Sequence, residues 1–171
     1  MLYRRVPISI IVFSWLLTAA CGYQFAGRGD FPSDITSIAV VMFENRTSET
    51  GIEQTLTNDI AYEITRSSNV ALMRGDRADA VLSGVVESLG VETISYRQVH
   101  SAVERRVRLT ISLKLTNPEG KVLWSARRIS ANQAYNASSD KIRTEQNRKN
   151  AISSLSRRLA ETVYDRLTGE F

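Results

Sequence analysis

From Arg106 to Thr116 polar and apolar side chains alternate without a fault. Val107, Leu109, Ile111, Leu113 and Leu115 share one face of an extended chain; Arg106, Arg108, Thr110, Ser112 and Lys114 share the other. A period of two admits a half-buried strand and excludes a helix, and it demands something apolar to cover one side only. Two stretches can supply that cover. Ile52, Leu56, Ile60 and Ile64 recur every fourth residue, as do Ala151, Leu155, Leu159, Val163 and Leu167, and each set forms a single stripe on a helix.

Further strands surround this one. Ser37 to Phe43 is a nearly continuous apolar run rich in β-branched residues, as in a buried strand. Val70–Met73 is long enough for a short edge strand. Ala80–Tyr96 is a long strand candidate in which Gly84 and Gly90 allow bends or bulges. Asn117-Pro118-Glu119-Gly120 is a hairpin turn, and the chain returns over Lys121–Ser130 with Val122, Trp124 and Ile129. The final helix is expected from about Ser139 to Leu167. The expected fold class is α+β: a mixed, mainly antiparallel four-stranded sheet with two helices packed on one face. At 171 residues the chain has room for one ordinary domain.

The amino terminus reads as a targeting signal. Arg4 and Arg5 precede the uncharged apolar run Val6–Ala20, which is too short to cross a bilayer as a helix. Leu17-Thr18-Ala19-Ala20 then leads into Cys21, the only cysteine of the chain. This resembles the lipobox of bacterial lipoproteins, whose cysteine is acylated after cleavage; the alternative is an ordinary signal peptide with Cys21 as an incidental thiol. The expected organisation is a signal over 1–20, a lipidated tether over 21–36 and a domain over 37–171. Two or more acyl chains anchor stably. Gly22 stands where many inner-membrane lipoproteins carry Asp, which favours the outer membrane.

Charge and chemistry narrow the function. Of the 22 basic side chains Arg4 and Arg5 leave with the signal, so 20 face 18 acidic ones, too even a balance for a nucleic-acid binder. One cysteine and one histidine, His100, exclude a Cys/His metal cluster and an internal disulfide. Phosphate loop, dinucleotide fingerprint and nucleophile elbow are all missing, so no cofactor and no enzymatic activity are expected. Sixteen of the 20 remaining basic residues are arginine, whose planar fork suits phosphate or carboxylate. Arg106, Arg108 and Lys114 project from the polar side of their strand, and Arg127 and Arg128 follow across the hairpin. Both strands are expected to carry their arginines at the end away from the Asn117 turn. These five residues form either a solvated sheet face or a patch for an anionic ligand.

Several short segments, in order, resemble one family. Cys21-Gly22-Tyr23-Gln24-Phe25, the strand Ile38–Phe43 and Asn45-Arg46-Thr47 are similar to the opening of the lipopolysaccharide-assembly lipoprotein family LptE. Gly51-Ile52-Glu53, Leu56-Thr57, Ala78-Asp79-Ala80, Leu82-Ser83-Gly84, Val107-Arg108-Leu109, Leu123-Trp124 and the long last helix continue the resemblance. It implies a lipid-anchored protein on the periplasmic side of the outer membrane that plugs the LptD β-barrel, aids its assembly and assists lipopolysaccharide transport to the surface. Lipopolysaccharide is then the natural ligand of the arginine face. The segment Phe43–Thr47 is also similar to LpoB, an activator of peptidoglycan synthases, and to the amino-terminal domain of TolB, so an envelope lipoprotein regulating such a synthase is the alternative.

Overall fold

The computed structural model describes residues 31–32, 34–95 and 103–169. The signal over 1–20, Cys21 and His100 lie outside the described residues. In chain order the elements are β1 (Ser37–Val40), β2 (Glu44–Asn45), α1 (Ile52–Ser67), β3 (Ala71–Leu72), β4 (Ala80–Ser95), β5 (Val103–Thr116), β6 (Val122–Ala137) and α2 (Lys141–Gly169).

The alternating strand β5 sits inside the sheet, between β4 and β6, and both pairings are antiparallel. Its odd-numbered side chains from Val107 to Leu115 are buried, and they share one core with Leu56, Ile60 and Ile64 of α1 and Leu155, Leu159 and Leu167 of α2. The even-numbered face is left on the outside. The turn between β5 and β6 closes where expected: the Gly120 N–H donates to the Asn117 carbonyl at 3.0 Å, and Gly120 takes a φ of 83° that glycine adopts without strain.

The sheet is larger and more mixed than the four-stranded, mainly antiparallel one expected. It has six strands in the order β3-β1-β4-β5-β6, with β2 also on β4, and β1, β2 and β3 pair in parallel. Strands of two residues, such as β2 and β3, are too short to show any period. Direction follows from α1, which carries the chain from β1 across to β3 in the same sense, as a helical crossover does. The apolar run ends as a strand at Val40, and Phe43 turns into the core instead. There its ring lies against Gly84, where a Cβ would stand 2.8 Å from Phe43 Cε2 and 2.7 Å from Leu113 Cδ2.

The packed domain starts before β1. Phe31 and Ile35 are buried, and the Phe31 ring meets Tyr164 of α2 edge-on with centroids 6.3 Å apart. Asp79 then fastens the segment to the sheet: its Oδ2 accepts from the backbone N–H and hydroxyl of both Thr36 and Ser37 at 2.8–2.9 Å. These bonds, chiefly those from the Thr36 and Ser37 hydroxyls, hold the Asp79 carboxyl below its ordinary value.

Candidate functional site: the outer face of the sheet

The outer face is built by β5. Small or polar residues oppose its cations: Ser83 and Ser125 flank Lys114, and Gly90 and Asn132 flank Arg108. Long side chains therefore stand above a low floor. Arg106 and Arg108 reach the same carboxylate, Glu92, at 3.5 and 3.6 Å. Such exposed pairs contribute little to stability, but one carboxylate between two guanidinium groups halves the charge they offer to a ligand.

Arg127 and Arg128 do not join that pair. They occupy a β-bulge opposite Ser112, between the pairings Ile111 with Ile129 and Leu113 with Ala126. The expected grouping at the end away from the turn is corrected: the bulge lies midway along β6. Arg128 has a φ of 55°, and its N–H donates to Ser112 Oγ at 3.1 Å. The extra residue moves the core-facing set from Trp124 and Ala126 to Ile129 and Tyr135. Arg127 and Lys114 line one shallow depression of about 560 Å³, with Ser83 and Ser112 in its wall and the exposed Met42 and Val122 beside it. Among the described residues neither cation forms an ion pair. Lys114 stands six positions from Arg108 along β5, about 20 Å.

The five basic residues thus form two groups. Lys114 and Arg127, with Arg128 next to them, lie toward the end of the sheet where the chain enters β1, since Val81 pairs with both Ala39 and Thr116. Arg106 and Arg108 lie toward the other end. Among the described residues no cluster of His, Cys, Asp and Glu could hold a metal, and no helix is long and apolar enough to cross a membrane.

Sequence reasoning missed the polar contacts that fix the scaffold behind this face. Asn45 Oδ1 accepts from the Thr47 N–H and hydroxyl at 2.9 and 2.8 Å, and its Nδ2 donates to Glu53 at 2.7 Å. Arg148 of α2 then donates to both oxygens of Glu49 at 2.8 and 3.1 Å and to Glu145 at 2.8 Å. Hydrogen bonds to Glu145 and Glu49 strengthen the hold of Arg148 on its proton, and the one to Arg148 keeps Glu145 ionised below its ordinary value.

This α+β layout, with two helices on one side of an open mixed sheet, is shared by solved bacterial lipoproteins. The chain is similar to lipoprotein B from Nitrosomonas europaea (TM-score 0.60, 9% identity, 85% of this chain and 88% of that one). It is also similar to the minor lipoprotein from Acinetobacter baumannii (TM-score 0.54, 15% identity, 80% and 94%) and to the rare lipoprotein B from Shewanella oneidensis (0.51, 13%, 78% and 92%). At such identities the likeness is one of fold. No curated protein sequence matches the chain significantly. The family model LptE, lipopolysaccharide-assembly, matches residues 35–167. The chain belongs to the LptE family.

Proposed function

We propose that this protein is an outer-membrane lipoprotein that assists transport of lipopolysaccharide to the cell surface, working as the plug and assembly partner of an LptD-type β-barrel rather than as an enzyme. The observation that carries the reading is the family match over residues 35–167. In this reading the signal over 1–20 is removed, Cys21 carries the lipid, and the domain faces the periplasm. The ten residue steps from Cys21 to Phe31 reach at most roughly 35 Å, so the domain stays close to the membrane.

The outer face is the proposed lipopolysaccharide surface. Its ligand is an amphiphile with phosphate groups, and the depression offers both chemistries: Lys114 and Arg127 for phosphate, Met42 and Val122 for an acyl chain. Arg128 adds a third cation beside them, while Arg106 and Arg108 form a second, weaker site because they share Glu92. The test is a binding titration with purified lipopolysaccharide. Lys114→Glu with Arg127→Glu is expected to weaken binding by about tenfold or more and to flatten its salt dependence. Arg106→Glu with Arg108→Glu is expected to weaken it less. Equal binding by wild type and both double variants, with unchanged circular dichroism, would remove this face from the account.

A further inference from the structure

β6 borders the sheet, and among the described residues no strand pairs with its far edge. Three carbonyls on that strand, at alternate positions, each accept a hydrogen bond from a side chain. Arg158 donates to Asn132 O at 3.3 Å, Gln133 to Ala134 O at 3.2 Å and Asn147 to Asn136 O at 2.8 Å. Arg158 is itself steadied by Gln133 Oε1 at 3.0 Å. Two of the three donors come from α2, and a groove of about 270 Å³ runs between α2 and the strand, walled by Gln133, Asn136, Asn147, Asn150 and Ser154.

Carbonyls at alternate positions of a strand repeat about every 6.7 Å. A ligand that satisfies all three must present donors at the same repeat, and an extended polypeptide does so through its backbone N–H groups. The walls add amides and a hydroxyl, which can donate to or accept from a second backbone, and they carry no acid or base. We propose that the edge of β6 from Asn132 to Asn136 is a strand-docking site for an extended, uncharged segment of a partner protein, and that Arg158, Gln133 and Asn147 stand in for its N–H groups until it arrives.

The remainder of the strand explains why the edge is not open to all comers. The Arg127–Arg128 bulge interrupts the first half, as bulges and charges on natural edges do. A second copy of this chain is a poor occupant. Edge-to-edge pairing about a two-fold axis would bring the two α2 helices together, each with Arg158 at the junction. None of the three capping side chains lies in the outer-face depression, so substituting them leaves the Lys114–Arg127 site intact.

The experiment uses the full-length chain and two probes: an acetylated peptide of alternating threonine and valine, and the same peptide N-methylated at alternate residues. Asn147→Ala with Arg158→Ala removes two competing caps and is expected to bind the first peptide about tenfold tighter than wild type. Hydrogen exchange should slow across Ser130–Asn136, and the methylated peptide should not bind. Should the double variant lose its native circular dichroism, Arg158→Ala alone carries the same comparison. The proposal is overturned by equal binding of both peptides or by no protection of Ser130–Asn136. Dimerisation of the variant without peptide also overturns it, and assigns the edge to a second copy.

Discussion

Gly84 and Asp79 show how much single positions decide here. The Phe43 ring occupies the space that a side chain on β4 would fill at Gly84. The atoms that a Cβ there would meet belong to the packed Phe43 and Leu113 side chains, so Gly84→Ala forces a shift of ring, leucine or strand. A loss of about 1–3 kcal/mol is expected in denaturant unfolding. Asp79 acts by charge. Its folded carboxyl titrates below the ordinary value of 3.8, so its contribution is complete above that value and is lost as pH falls through the lowered one. Asp79→Asn should therefore reduce stability at neutral pH and leave a shallower acid limb, measured as midpoint against pH. Gly84 stood out in sequence as a glycine inside a strand, but the pairing runs regularly through it and its role is close packing rather than a bend. Asp79 did not stand out, because its partners Thr36 and Ser37 lie more than forty residues away in sequence.

At the scale of elements, α1 and α2 are visible as stripes, and the alternating strand predicts its own buried and exposed faces residue by residue. The bulge also left a trace: Trp124 and Ile129 both face the core but stand five apart, an odd spacing that a regular strand does not allow. β3 was legible as the short apolar piece Val70–Met73 and does lie at the sheet's edge, whereas β2, two residues in a polar stretch, left no trace. The junction of α2 with the loop before α1 rests on Arg148 and Glu49, separated by 99 residues, and no local pattern announces such a pair. Both side chains are mostly shielded, at 21% and 25% exposure. Arg148→Ala should cost about 1.5–3 kcal/mol in equilibrium unfolding, with faster hydrogen exchange in the first turns of α2.

For the molecule as a whole, the fold separates its tasks. Helices and the odd face of β5 make the core, and the other face is free for a ligand. The entering chain from Phe31 is packed into the body, so in the proposed reading the lipid anchor restrains the domain through a short lead. The total charge of the sequence hid the arrangement. Five basic residues read as one patch, whereas pairing with Glu92 and the bulge at Arg127–Arg128 divide them into two groups. The central claim is that the protein acts by occupying a barrel and passing lipopolysaccharide outward. The direct measurement is depletion of the protein in its own cells, followed by quantification of correctly assembled LptD-type barrel and of lipopolysaccharide at the surface. Both should fall together, and wild-type protein should restore both. Normal barrel assembly with normal surface lipopolysaccharide in depleted cells would contradict the account.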